Sequence, residues 1–253
     1  MDNEKQERIP IAFGGDLSPD TLATHRISSL PPSMYYIPSF LTSDEESHIL
    51  SSLPSNRWTH LSRRRLQAHP SPLTASGTLL RSPLPPYLSQ PILSRFSELG
   101  IFTSSPHKTA NHCLVNEYEA GQGIMGHEDG PSYWPCTATV SLGGSVVLDI
   151  WTKPEGLDSE PQPEKRWRIF QEPRSLLITT DEVYGGTLHG IGEVSVDQDL
   201  SPETVANWDL LENTAALENS GGQNVRTTRT SLTYRDVVKV SDAGRKILGL
   251  GRK

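Results

Sequence analysis

The sequence predicts a mainly β domain, a barrel or sandwich, with flanking α-helices ahead of it. Three observations carry that reading. From residue 111 the chain is a series of short runs rich in β-branched and aromatic residues, separated by Gly, Pro and charged turns. Two earlier segments space their apolar residues at helical intervals instead. A length of 253 residues suits one large β-rich domain.

Residues 1–33 are polar, contain Pro and lack periodicity, so they are expected to be mostly disordered, with local order around 9–13. The domain is expected over 34–253, with a helical and lid region at 34–110 and the β core at 111–240. YYIPSFLTSDEESHILSSL (35–53) alternates briefly and then predicts a helix. Ser43 caps it, Glu46 closes the capping box, and Ile49, Leu50 and Leu53 form its apolar face. RWTHLSRRRLQAHPSPLTASGTLLRSPLP (57–85) is too broken by Pro, Ser and Gly for a long element. PPYLSQPILSRFSELGIF (85–102) has apolar residues at 88, 92, 93, 96 and 99, a helix starting after a proline. The predicted strands are HCLVNEY, ATVSLGGSVVLDIW, RWRIF, SLLITT, TLHGIGEVSV and TRTSLTYRDVVKV. Two insertions interrupt them: an acidic, Pro-rich hairpin loop at 152–165 and a long segment at 197–223, expected to hold a short helix around 202–217.

Composition narrows the function. The net charge of −7 argues against nucleic-acid binding through the whole surface, while leaving room for a local basic stripe. Cys113 and Cys136 are too few for a disulfide framework and form no CxxC pair, which points to a reducing compartment. MDNEKQERIP has no apolar signal core, and no apolar run approaches a membrane span. A soluble protein of the cytoplasm and nucleus, monomeric and without a membrane partner, is expected.

The chemistry concentrates in GIMGHEDGPSYWP. If this stretch is extended, His127 and Asp129 point to one face. His-x-Asp arises readily by chance, so it needs a third ligand. His189 in TLHGIG, 62 residues on, offers one, although a lone His in an apolar strand is more often a core residue. Two imidazoles and a carboxylate leave positions open on a metal, the facial arrangement of non-haem Fe(II) oxygenases. In RTSLTYR, Arg229 and Arg235 are six apart and share a strand face. Two buried guanidiniums are costly without anions. A ligand with a carboxylate at each end, as in 2-oxoglutarate, satisfies both through bidentate pairing, unless one Arg faces solvent or pairs with Asp236. Asn116 and Tyr118 in NEY also share a face and could hydrogen-bond the same ligand.

The order N-x-Y, H-x-D, distal His and R-x5-R resembles the AlkB family of Fe(II)- and 2-oxoglutarate-dependent dioxygenases. The similarity runs through YYIPSFLTSDEE, RWTHLSRRRLQ, NHCLVNEYEAGQGIMGHEDGPSYWP, VSLGGSVVLDIW, EPRSLLITTDEVYGGTLHGI and RTSLTYR, from about residue 35 to the C-terminus. It implies a double-stranded β-helix (jelly-roll) core. His127, Asp129 and His189 would hold Fe(II), and Arg229 the distal carboxylate of 2-oxoglutarate, with Asn116 and Tyr118 nearby. Arg235 would lie at the co-substrate's iron-chelating end. With O2, such enzymes convert 2-oxoglutarate to succinate and CO2 and hydroxylate a C–H bond; an N-methyl group so treated is lost as formaldehyde.

The pattern departs from the family in one place. Repair members carry a second acidic residue two positions after the iron-binding Asp, where this chain has Pro131. Tyr133 and Trp134 offer stacking surfaces for a planar substrate or pack under a loop. Arg63, Arg64 and Arg65 lie where the family builds a substrate lid, and could meet phosphates or form a solvated face. Methylated nucleic acid, RNA ahead of DNA, is the expected substrate. A protein substrate of the same chemistry is one alternative, kept open by the acidic 152–165 loop; a catalytically idle binding module is another. A zinc hydrolase on the same ligands would lack a general base and leave the arginine pair unexplained.

Overall fold

The computed structural model describes residues 19–153 and 165–242. Disorder expected over 1–33 is corrected for its second half. α1 (Pro19–Thr24) leads to Ile27 and Leu30, which are buried with Met34 and Tyr36 of β1 (Met34–Ile37) against Ile150, Ile169 and Leu177. Two well-placed apolar side chains anchor a stretch that has no periodicity to read. Residues 1–18 lie outside the described residues.

α2 (Ser43–Ser52) is capped one residue earlier than expected. Thr42 Oγ1 accepts from the Glu45 N–H at 3.2 Å, and Glu45 Oε2 accepts from the Thr42 N–H at 2.8 Å. Ser43 and Glu46 satisfy the same pattern, so local sequence does not choose. Packing chooses: the Glu45 carboxylate also receives both terminal nitrogens of Arg95, while Glu46 accepts the Gly143 N–H at 2.7 Å.

β2 (Thr59–Leu61) and β3 (Arg64–His69) form a hairpin in the segment expected to hold no long element, followed by β4 (Leu79–Leu80). The single helix expected over 85–102 is two, α3 (Pro86–Ser89) and α4 (Ile92–Glu98), parted at Pro91, which has no N–H to continue a helix. These helices and α2 cover one face of the larger sheet.

The remaining strands are β5 (His112–Tyr118), β6 (Ile124–His127), β7 (Cys136–Gly143), β8 (Val146–Thr152), β9 (Arg166–Gln171) and β10 (Leu176–Thr180). After α5 (Asp181–Gly186) come β11 (Thr187–Ile191), β12 (Val196–Asp197), α6 (Thr214–Asn219), β13 (Asn224–Val225), β14 (Arg229–Arg235) and β15 (Val240–Ser241). The larger sheet runs β1-β10-β7-β14-β5-β3-β2 and the smaller β6-β11-β8-β9; every pairing in both is antiparallel. Together they make the jelly roll. Alternation divides each strand between two environments. In β14, Leu232 and Tyr234 enter the apolar layer beneath the helices, while Arg229, Ser231, Thr233 and Arg235 face the space between the sheets.

The insertion at 197–223 packs on the outer face of the smaller sheet. The helix expected around 202–217 is instead a 3-10 turn at Trp208–Leu210 and the short α6. Leu200, Val205, Trp208 and Leu217 bury against Val147 and Phe170, on the side of the smaller sheet opposite Leu148 and Ile150, which line the central pocket. Glu172 tethers the segment by accepting the N–H groups of Glu212 and Asn213, both at 3.1 Å. Of the 152–165 loop, residues 154–164 lie outside the described residues.

Candidate active site

β6 and β11 pair antiparallel with His127 opposite His189, so one register places the two imidazoles together, ring centroids 4.4 Å apart. Asp129, just past β6, completes a trio whose ligand atoms all lie within 4.8 Å of one another. Close approach of the backbone makes this possible. A Cβ on Gly126 would stand 2.1 Å from the Trp151 ring, so only glycine lets that indole brace the residue before His127.

His127 Nδ1 lies 2.9 Å from the Met125 carbonyl, which can only accept; Nδ1 therefore carries the hydrogen and Nε2 is free. Burial holds His189 neutral, with its pKa lowered to about 4. Asp129 is ionised: burial opposes its charge, but the adjacent Arg235 outweighs that and lowers its pKa. Arg235 Nε and Nη2 donate to Asp129 at 3.0 and 2.5 Å, and Thr137 Oγ1 donates to Oδ2 at 2.8 Å.

At the other end of β14, Arg229 is 3% exposed and, among the described residues, has no carboxylate partner. One terminal nitrogen donates to Ser141 Oγ at 2.9 Å and Gln171 Oε1 at 3.0 Å, both neutral, and its Nε has no partner. Burial lowers its pKa to about 10. The pocket between the trio and Arg229, about 310 Å³, is also lined by Asn116 and Tyr118. A chelating anion reaching from a metal at the trio to the unmatched guanidinium fits this donor set.

The chain is 37% identical over 242 residues to a zebrafish (Danio rerio) protein named probable RNA/DNA demethylase ALKBH6, covering 92% of this chain and 96% of that one. It belongs to the AlkB family. No protein-family model matches the chain. A second relative in that family is the mouse (Mus musculus) tRNA (carboxymethyluridine(34)-5-O)-methyltransferase ALKBH8, 26% identical over 227 residues, 83% of this chain and 31% of that one. A solved 2OG-Fe(II) oxygenase family structure from Burkholderia pseudomallei superposes with a TM-score of 0.50 at 12% identity, over 90% of this chain and 96% of that one, and shares the fold. An AlkB-family chain is an Fe(II)- and 2-oxoglutarate-dependent dioxygenase, which disposes of the zinc hydrolase. Glu128 lines the pocket and is ion-paired with Lys153.

The residues expected on the substrate side divide. Arg64 lines the AlkB-type pocket and donates from Nε to Asn116 Oδ1 at 3.2 Å. Arg65 points away, paired with Glu117 at 2.6 Å with its guanidinium over Trp58; Arg63 pairs with Glu193. Tyr133 lines the pocket with its ring 4.8 Å from the Arg235 guanidinium. Trp134 does not join it: the indole packs against the core beneath the helices, which corrects its placement as a stacking surface. Tyr133 is held by a single bridge to Val237, and the Trp134 N–H donates to the Asp236 carbonyl at 2.8 Å. Sequence reading missed Thr137, Ser141, Gln171 and Tyr184. The one signal available for the first three was a polar side chain on the buried face of an apolar strand. Among the described residues no helix is long and apolar enough to cross a membrane.

Proposed function

We propose that this dioxygenase removes N-methyl groups from nucleic acid, with RNA favoured over DNA, using Fe(II) on His127, Asp129 and His189 and 2-oxoglutarate on Arg229. The observation that carries the reading is the buried Arg229 guanidinium, which lacks a counter-charge and shares one pocket with the trio. The names of the zebrafish and mouse relatives, RNA/DNA demethylase and tRNA methyltransferase, support a nucleic-acid substrate. A monomer of the cytoplasm and nucleus is part of the same reading.

Each residue has a task. His127 and His189 supply ring nitrogens, and Asp129 one negative charge that Arg235 and Thr137 hold in orientation. Arg229, steadied by Ser141 and Gln171, binds the distal carboxylate of the co-substrate. Asn116 and Tyr118 flank the co-substrate, and Arg64 and Tyr133 face the substrate side. Fe(II), O2 and 2-oxoglutarate together supply the oxidation that turns an N-methyl group into formaldehyde, with succinate and CO2 released.

The test is succinate release from 2-oxoglutarate with Fe(II), ascorbate and O2, comparing wild type with Asp129→Asn. Methylated RNA, methylated DNA and a methylated peptide are then added in turn. Succinate from wild type alone, stimulated by RNA with formaldehyde appearing, is expected. Stimulation by the peptide alone would replace the nucleic-acid reading with a protein substrate. Absence of both turnover and 2-oxoglutarate binding would leave an idle binding module.

A further inference from the structure

Tyr184, on α5, is a residue of the pocket to which nothing above gives a role. Its hydroxyl is shut off from solvent and has no hydrogen-bond partner, although the side chain lines the pocket. Unsatisfied buried polar groups are costly, so each calls for an explanation. The groups that act on this phenol electrostatically include Asp129, Arg235 and Tyr133. Tyr184 therefore stands at the metal end of the pocket. Arg229 lies six residues from Arg235 along β14, roughly 20 Å of strand, and marks the other end.

Asp129 does not take the hydroxyl. Its oxygens already receive Nε and Nη2 of Arg235 and Oγ1 of Thr137. A second unmatched atom nearby has a local answer. Arg235 Nη1 is an orphan donor, and His112, its register partner on β5, has an orphan acceptor in Nδ1. One bridging water would satisfy both. Among the described residues the Tyr184 hydroxyl has no hydrogen-bond partner. It is a donor able to meet an acceptor delivered into the pocket, beside the metal trio and opposite Arg229.

We infer that Tyr184 is a co-substrate-positioning residue, its hydroxyl donating to the carboxylate of 2-oxoglutarate at the metal-chelating end while Arg229 takes the distal one. The inference rests on the co-substrate reading above. A dicarboxylate then meets an unmatched buried donor at each end of the pocket, and both orphans are accounted for by one molecule. Burial of the hydroxyl favours the small co-substrate over a larger substrate.

The test uses full-length protein loaded with Mn(II), which avoids turnover, and measures 2-oxoglutarate and succinate binding by calorimetry. Succinate keeps two carboxylates but lacks the oxalyl end. Tyr184→Phe should weaken 2-oxoglutarate binding roughly ten-fold and leave succinate binding unchanged. Arg229→Met should weaken both. Equal losses for both ligands in Tyr184→Phe, or no loss for either, would overturn the assignment. Wild-type protein that binds neither ligand, with Arg229→Met equally silent, would mark the failure of the co-substrate reading itself and remove the inference with it.

Discussion

Arg235 grips Asp129 with two nitrogens, on side chains that are 7% and 8% exposed, so a candidate metal ligand is also half of a buried ion pair. Removing one partner leaves a buried charge uncompensated. Asp129→Ala should therefore destabilise the metal-free protein by about 3–5 kcal/mol, read from urea denaturation. The double variant Asp129→Ala/Arg235→Met should recover most of that loss and still bind no Mn(II). An undiminished Asp129→Ala would mean the pair contributes nothing to folding.

Arg229 is the opposite case, a buried cation with neutral partners. Arg229→Met should leave the ligand-free melting temperature unchanged or raised, because it removes a charge that burial already disfavours. The increase in melting temperature that 2-oxoglutarate produces in wild type should disappear. A variant that melts early without ligand, yet retains the ligand-induced increase, would show that Arg229 serves the fold and not the co-substrate.

Gly126 lies under the Trp151 ring one residue before His127. Gly126→Ala must push the indole or the β6 backbone aside. Mn(II) affinity should fall at least roughly ten-fold, the scale of lost ligand orientation, while far-UV circular dichroism stays unchanged. Trp151→Ala in the same background should recover part of the affinity by opening space.

His69 and His112 are buried and held neutral, their pKa values lowered to about 4, mainly by burial. His69 accepts from Arg57 on Nδ1 and donates to Gln67 from Nε2, leaving no place for a second proton. Below the unfolded value near 6.5 the unfolded chain takes up protons that the native one refuses. Stability should thus fall as pH drops from about 6.5 to about 4, and this pair should add no further loss below that. A His69→Gln/His112→Gln variant should have a shallower acid limb in a series of melts.

The candidate site was legible because its residues are chemically unusual where they stand. Two arginines on one strand face, a histidine in an apolar strand and His-x-Asp among glycines each violate what burial alone would select. The β2–β3 hairpin was not legible. RWTHLSRRRLQAH looks polar and broken, and β3 becomes a strand by pairing along β5, with Leu66 opposite Asn116. Tyr184 was invisible for another reason: a tyrosine in DEVYGG has no local oddity, and its significance is an absent partner in three dimensions.

The sequence by itself determined a mainly β barrel or sandwich, the alternation that sends Arg229 and Arg235 inward, and the candidate ligands of a metal and a diacid. These follow from side-chain chemistry and the two-residue period of a strand, both local properties. Tertiary structure alone decided that His127 meets His189, that Glu45 and not Glu46 closes the helix cap, that 197–223 braces the outer face of the smaller sheet, and that Trp134 turns into the core. Those outcomes depend on register and on which distant partner satisfies a buried group. Neither is encoded in any short stretch of chain, because the competing local choices are nearly equal in energy until the sheets close.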